Sequence, residues 1–293
     1  MADAKLVKEL RNITQAGFLD CQKALDSTNG NMEEAIKILK EKGIAKAEKK
    51  SDAIATEGVT DTLVDGNKAL IIEVNSQTDF VAQNEIFLNL VKEMKKVILE
   101  KEVTDLKSVE NLVLSNGQTI KDASIEATSK IGEKISFRRA NIIKKDPTST
   151  FGIYTHHNKK YSSIVVIDKD INESIAKDIA MHVGAMNPKF LNKENVDQVW
   201  LQNEKDLLIK KTIEEGKPKE FAEKIVEGRV GKLLSEYCLL DQPFVKEPTL
   251  TVSKYVANNN NAEVVSMFRY ELGDGIVKEE VDFAAEVAAQ MGK

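Results

Sequence analysis

The chain is poor in the residues that most chemistry needs. Its 293 residues include two cysteines, Cys21 and Cys238, in no Cys-x-x-Cys pair or other zinc spacing, so they read as isolated reduced thiols. Only three histidines occur, and two of them, His156 and His157, are neighbours. A metal there would need carboxylates recruited from distant positions. No phosphate loop is present: the nearest approach, Gly228-Arg229-Val230-Gly231-Lys232, has the wrong spacing and falls inside a predicted helix. Also missing are the Gly-x-Ser-x-Gly elbow, the His-Glu-x-x-His zinc helix and an acidic calcium loop. Carboxylates are plentiful on helix surfaces, yet no pair is set apart for acid–base work. The expectation is a protein that is not an enzyme and has neither cofactor nor metal of its own.

Positive charge and long apolar runs are scarce as well. Net charge is −5 and the pI about 5.5, the opposite of a broad phosphate-binding footprint. No stretch approaches the ~18 apolar residues of a membrane helix. The opening MADAKLVKELR is charged and lacks the apolar core of a secretory signal. These absences point to a cytoplasmic protein without membrane contact. With 42% hydrophobic residues, the chain has ample material for a core.

The apolar pattern that is present divides the chain. Over residues 4–44, Leu6, Val7, Leu10 and Ile13 recur at helical spacing. The predicted helix stops at Thr14-Gln15-Ala16-Gly17, where Gly17 can take a positive φ. A second short helix carries Phe18, Leu19, Ala24 and Leu25. Asn31 with Glu34 resembles a capping box for a third helix, which Gly43 is expected to end. Residues 45–57 are charged and Ala-rich with no buried stripe, and read as a helical extension or linker.

After this the period changes to two. Val59–Val64 and Ala69–Val74 flank Asp65-Gly66-Asn67 as a hairpin. A strong amphipathic helix follows over Ile86–Ile98, then a helix over Thr119–Lys130 and a strand over Ile135–Ile143. A second hairpin spans 151–167, with His156 and His157 near its tip, and a helix over Ile175–Met186 stops before Pro188. The order of hairpin then helices thus recurs. Over 194–237, two helical patterns meet at Gly216-Lys217-Pro218, an αα-hairpin of roughly twenty residues per arm that could project ~30 Å. A strand over Val264–Leu272 and an Ala-rich helix around Phe283 complete the chain.

The resulting fold class is α+β. The expected modules are an N-terminal three-helix unit plus linker (1–53), a core subdomain (54–145), and a second core subdomain (146–193 and 238–274). To these are added the helical hairpin (194–237) and a C-terminal helix (275–293). Antiparallel sheets form the two subdomains. The three-helix unit resembles ubiquitin-associated modules at the level of fold.

One local arrangement favours binding over packing. The strand ending at Glu73-Val74-Asn75 runs through Ser76, Gln77, Thr78, Asp79, Phe80 and Val81 before a helix starts near Asn84. Thr78 or Asp79 can cap a first turn. Phe80 and Val81 either fold back onto the core or form an aromatic anchor beside a carboxylate, the composition of an interface hot spot. His182, beside an apolar helix face, reads as a half-buried structural histidine.

At this point the sequence resembles a known family. LRNITQAGFLDCQKALDSTNGNMEEAIKILKEKG (10–43), IIEVNSQTDFVAQNEIF (71–87), IAMHVGAMNPKFL (179–191), GKPKEFAEKIVEGRVGKLLSEYCLLDQPFVKEP (216–248) and FRYELGDGIVKEEVDFAAEVAA (268–289) are similar to segments of bacterial elongation factor Ts, in the family's order. Departures are few: Thr14-Gln15-Ala16-Gly17 replaces Thr-Gly-Ala-Gly, and Phe18-Leu19 stands where paired methionines are common. The resemblance implies a guanine-nucleotide exchange factor that binds elongation factor Tu, GDP-bound and nucleotide-free, without binding nucleotide itself. It implies that Thr78, Asp79, Phe80 and Val81 dislodge Mg²⁺ from that partner, with Phe80 entering a cleft between two partner helices. His182, Phe18, Leu19 and Phe283 match further partner contacts. A homodimer or 2:2 complex, and the role of the helical hairpin, are left open. Two rival readings are a translation-associated RNA-binding protein using the Lys-rich 40–50 segment, and an adaptor of the ubiquitin-associated kind.

Overall fold

Three helices begin the chain: α1 (Ala4–Thr14), α2 (Phe18–Ser27) and α3 (Met32–Glu48). The computed structural model describes residues 3–14 and 16–277. Val7 and Leu10 of α1, Cys21, Ala24 and Leu25 of α2, and Ala35 and Leu39 of α3 close on one another as a small core. The Asn31 side chain accepts from the N–H groups of Glu33 and Glu34, satisfying two of the donors that open α3.

Two glycine readings are corrected here. Gly17 has φ −60° and ψ 147°, ordinary extended geometry at the N-cap of α2, so no left-handed turn is needed. Gly43 does not end α3, which continues to Glu48. It lies against Ser129, and a methyl group there would overlap the serine hydroxyl. The glycine is a contact between helices, and Ala47 and Ala55 beyond it are buried.

The first sheet has strand order β1 (Glu57–Asp65), β2 (Lys68–Ser76), β3 (Ile135–Lys144). A two-residue Gly66-Asn67 turn joins the hairpin. As the middle strand, β2 is buried at every position after Lys68, which its Ala-Leu-Ile-Ile run allows. Helices α4 (Glu85–Lys101), α5 (Leu106–Glu110) and α6 (Ile120–Ile131) lie between β2 and β3 in sequence. Asn84 caps α4, and Phe87, Leu90, Val91, Met94, Val97 and Ile98 form its buried face.

A second antiparallel sheet has order β4 (Thr150–Thr155), β5 (Tyr161–Ile167), β8 (Val264–Glu271). Ile164 pairs with Ile153 on one side and Phe268 on the other. Period two sends Val165 and Ile167 towards α7 (Glu173–Met186), and Ile164 and Val166 towards Ala69, Ile71, Ile143 and Phe151. Gly152 leaves no room for a side chain beneath the Ala176 carbonyl, so α7 rests directly on β4. In each sheet the third strand joins the second strand of the hairpin, so the recurring order seen in the sequence is present in the topology.

Between α7 and β8 come α8 (Gln198–Glu214), α9 (Lys219–Tyr237), the ribbon β6 (Pro243–Phe244) and β7 (Glu247–Thr251), and α10 (Val252–Ala257). Gly228 and Gly231 lie inside α9, so the phosphate-loop-like string is helical. The hairpin's apolar positions are less buried than their spacing predicts. Val199 is 70% exposed, and Leu207 and Phe221 each 58%. The two arms bury only Thr212, Ala222 and Val226, and Arg229 ties them together through Thr212 and Glu215.

The described chain divides into two compact units. One comprises the residues up to Val59, Glu73–Arg139 and those from Leu272 on; the other comprises Thr60–Ile72 and Ala140–Glu271. No helix among the described residues is long and apolar enough to cross a membrane.

Candidate partner-binding surface

The turn between β2 and α4 is built to hold an aromatic ring in water. Ser76 donates its hydroxyl to the Thr78 carbonyl at 2.9 Å, bending the chain as it leaves the strand. Glu133, just beyond the end of α6, accepts from the Thr78 N–H at 2.9 Å and from the Thr78 hydroxyl at 2.8 Å. Next to it, the Lys134 N–H donates to the Gln77 side chain at 2.9 Å. Residues 81–83 then form one 3₁₀ turn, which hands over to α4 at the Asn84 cap.

Each sequence-predicted residue of this corner has a distinct place. Thr78 is half-buried and is fastened by its own hydroxyl, not by capping a helix turn. Asp79 is exposed. Phe80 is 83% exposed, whereas its neighbour Val81 is 3% exposed. Of the two apolar residues, one therefore anchors the corner and the other is offered outward. A phenyl ring in water loses the burial that usually places it inside, and Phe80 sits on a backbone pinned on both sides.

His182 is fully buried, not half-buried. The correction has a polar cause. Its Nδ1 accepts from the Val245 N–H at 3.2 Å, which leaves the proton on Nε2 for Gln242 Oε1 at 2.8 Å. Burial pushes its pKa below the ordinary imidazole value, while the Gln242 hydrogen bond pulls the other way. Spacing alone had no access to Gln242 and Val245, which let the ring go inside.

Phe18 and Leu19 open α2 and are 48% and 67% exposed. With Ile13, at 53%, they leave an apolar edge on the three-helix unit. Phe283 lies outside the described residues. At the second hairpin's tip, His156 stacks on Tyr161 with ring centroids 4.5 Å apart, and its Nδ1 and the Tyr154 hydroxyl share a hydrogen bond at 2.8 Å. No group of three His, Cys, Asp or Glu among the described residues is arranged to hold a metal.

Sequence reasoning missed Glu73. It is completely buried in β2, yet it accepts from Arg138 at 2.8 Å, Arg139 at 2.6 Å, Asn75 at 3.1 Å and the Gly273 N–H at 2.8 Å. A lone acid in the run Ala69-Leu70-Ile71-Ile72-Glu73-Val74, matched by adjacent arginines in a later strand, was the available signal.

Asp79 and Phe80 thus form an exposed corner, pinned from behind, on an α+β scaffold. A sequence model described as "Elongation factor TS" matches residues 77–274. The chain is 50% identical over 290 residues to "Elongation factor Ts" of Malacoplasma penetrans, covering 99% of each chain. It is 45% identical over 296 residues to "Elongation factor Ts" of Ureaplasma urealyticum, covering 100% of each. The chain belongs to the elongation factor Ts family. With that membership comes the general function, nucleotide exchange in translation elongation.

Proposed function

We propose that the chain binds GDP-loaded elongation factor Tu, displaces its Mg²⁺ and promotes GDP release so that GTP can rebind. The observation that carries this reading is the exposure of Phe80 on a corner fixed from behind by Glu133 and Val81. Phe80 enters an apolar cleft of the partner, and the Asp79 carboxylate disturbs the polar network around the metal. Once Mg²⁺ leaves, the phosphate charge of GDP is uncompensated. No bond is made or broken, so neither a nucleophile nor a nucleotide site is required in this chain.

The energetics require more than one contact. A ~10⁴-fold weakening of nucleotide needs ~5.5 kcal/mol of preference for the empty partner, and linkage makes the effect reciprocal. One buried phenyl ring contributes ~1.5–3 kcal/mol. The remainder comes from the module at 1–53, through Phe18 and Leu19, and from the terminal segment at 275–293, through Phe283. His182 is closed off in the free chain, so it reaches the partner through the Gln242–Val245 turn that its ring supports.

The test is release of labelled GDP from purified elongation factor Tu with substoichiometric amounts of this chain. Acceleration that is reduced in Asp79→Ala and Phe80→Ala, with circular dichroism unchanged, supports the mechanism. Equal acceleration by both variants and the native chain removes it.

A further inference from the structure

Lys134 serves two segments at once. Its main-chain N–H donates to the Gln77 side chain at 2.9 Å, beside the Glu133–Thr78 contacts that pin the corner. Its ammonium donates to the Ser51 carbonyl at 2.5 Å and to the Ala53 carbonyl at 3.0 Å. Both carbonyls belong to the turns by which α3 leads into β1. An ammonium bonded to main-chain carbonyls fixes backbone, where a bond to another long side chain would fix only that side chain.

The bracket that carries these contacts is itself closed. At the end of α6 the Gly132 N–H returns to the Thr128 carbonyl, and the Ile135 N–H donates to the Thr128 hydroxyl at 3.0 Å. One turn earlier, Ser129 of α6 lies against Gly43 of α3. The buried core of the three-helix module, by contrast, comes from its own three helices. Its internal packing is therefore independent of Lys134, while its placement on α6 is not. Module and corner belong to the same compact unit.

We propose that Lys134 is a positioning residue for partner binding. It holds the three-helix module, with its exposed Phe18–Leu19 edge, in one frame with the exposed Asp79–Phe80 corner, so that one partner molecule meets both. This rests on the function proposed above. Two contacts held in one frame bind at high effective concentration, and a loosened frame loses affinity although no contact residue has changed.

Lys134→Met tests this, because it keeps the N–H for Gln77 and an apolar stem but removes the ammonium; Lys134→Arg restores donors for the carbonyls. The N–H groups of Lys50, Ser51 and Ala53 close the turns that the ammonium holds. In free Lys134→Met their exchange should quicken at least about tenfold, with exchange inside α1–α3 unchanged. With elongation factor Tu, KM for GDP release should rise about tenfold while kcat holds, because the corner is intact. Lys134→Arg should return KM to within about threefold of the native value. In a double-mutant cycle, the KM effects of Lys134→Met and Leu19→Ala should not multiply, since trimming the edge of a loosened module changes little further.

Unchanged exchange at the turns, unchanged KM, a fall in kcat, full multiplication with Leu19→Ala, or a silent Leu19→Ala would each overturn the positioning role. So would Lys134→Arg behaving like Lys134→Met, or exchange that quickens throughout α1–α3, which would make Lys134 a stabiliser of the module's own fold. Each of these outcomes leaves GDP release by the native chain in place. A native chain that releases no GDP would instead refute the underlying function, and this role with it.

Discussion

Glu133 takes both donors of Thr78, the backbone N–H at 2.9 Å and the hydroxyl at 2.8 Å. One carboxylate thus fixes the main chain and the side chain of the residue two before Phe80. Hydrogen bonds to a charged group contribute about 1.5–3 kcal/mol, enough to hold one corner geometry in place of several.

Loosening that pair should separate exchange from folding. Glu133→Ala is expected to slow GDP release about tenfold, while thermal unfolding shows a loss of only about 1.5–3 kcal/mol. Thr78→Val, which keeps the N–H contact but lacks the hydroxyl, should lie between. Stopped-flow release and calorimetry on the same preparations check both. Native exchange rates in Glu133→Ala would mean that corner rigidity is irrelevant.

Gly43 tests the packing of the three-helix unit. In an exposed helix, Gly→Ala stabilises by roughly 1 kcal/mol. Here the sign should reverse, with Gly43→Ala costing about 1–3 kcal/mol because the methyl meets Ser129. Adding Ser129→Ala should recover part of the loss. Urea denaturation of the single and double variants reads this, and a more stable Gly43→Ala would contradict it.

His182 should make stability fall with acid. Its folded pKa is lowered by burial, so the unfolded state binds the proton more readily. The stabilisation is complete above the unfolded value of about 6.5. It declines as pH drops from there towards the folded pKa. Melting temperatures of the native chain and His182→Gln, followed from pH 7.5 to 5, should diverge in slope below pH ~6.5. Parallel curves would show that the ring is protonated in place.

The parts of this molecule that the sequence made legible are those decided locally. Asn84 caps α4, Asn31 caps α3, and Gly66-Asn67 turns the first hairpin, each through neighbours a few residues away. The exposed Asp79-Phe80 pair was legible as a composition, although its two outcomes, core or surface, were not separable by spacing. What could not be read depends on distant partners. Gly43 looked like a helix stop because Ser129 was invisible, and Glu73, read only as part of a strand end, was given no role because Arg138, Arg139 and Gly273 were invisible too. The apolar residues of α8 and α9 had helical spacing, but spacing does not say whether a stripe is covered, and Val199, Leu207 and Phe221 are not.

The central claim is that a phenyl ring held out in water drives the exchange. Its most direct measurement is the rate of labelled GDP release from elongation factor Tu at saturating Phe80→Ala, beside the native chain. Loss of one buried ring should slow release by roughly ten- to a hundredfold, with the melting temperature unchanged because Phe80 is 83% exposed. A native rate, or a variant that fails only because it unfolds, would contradict the account.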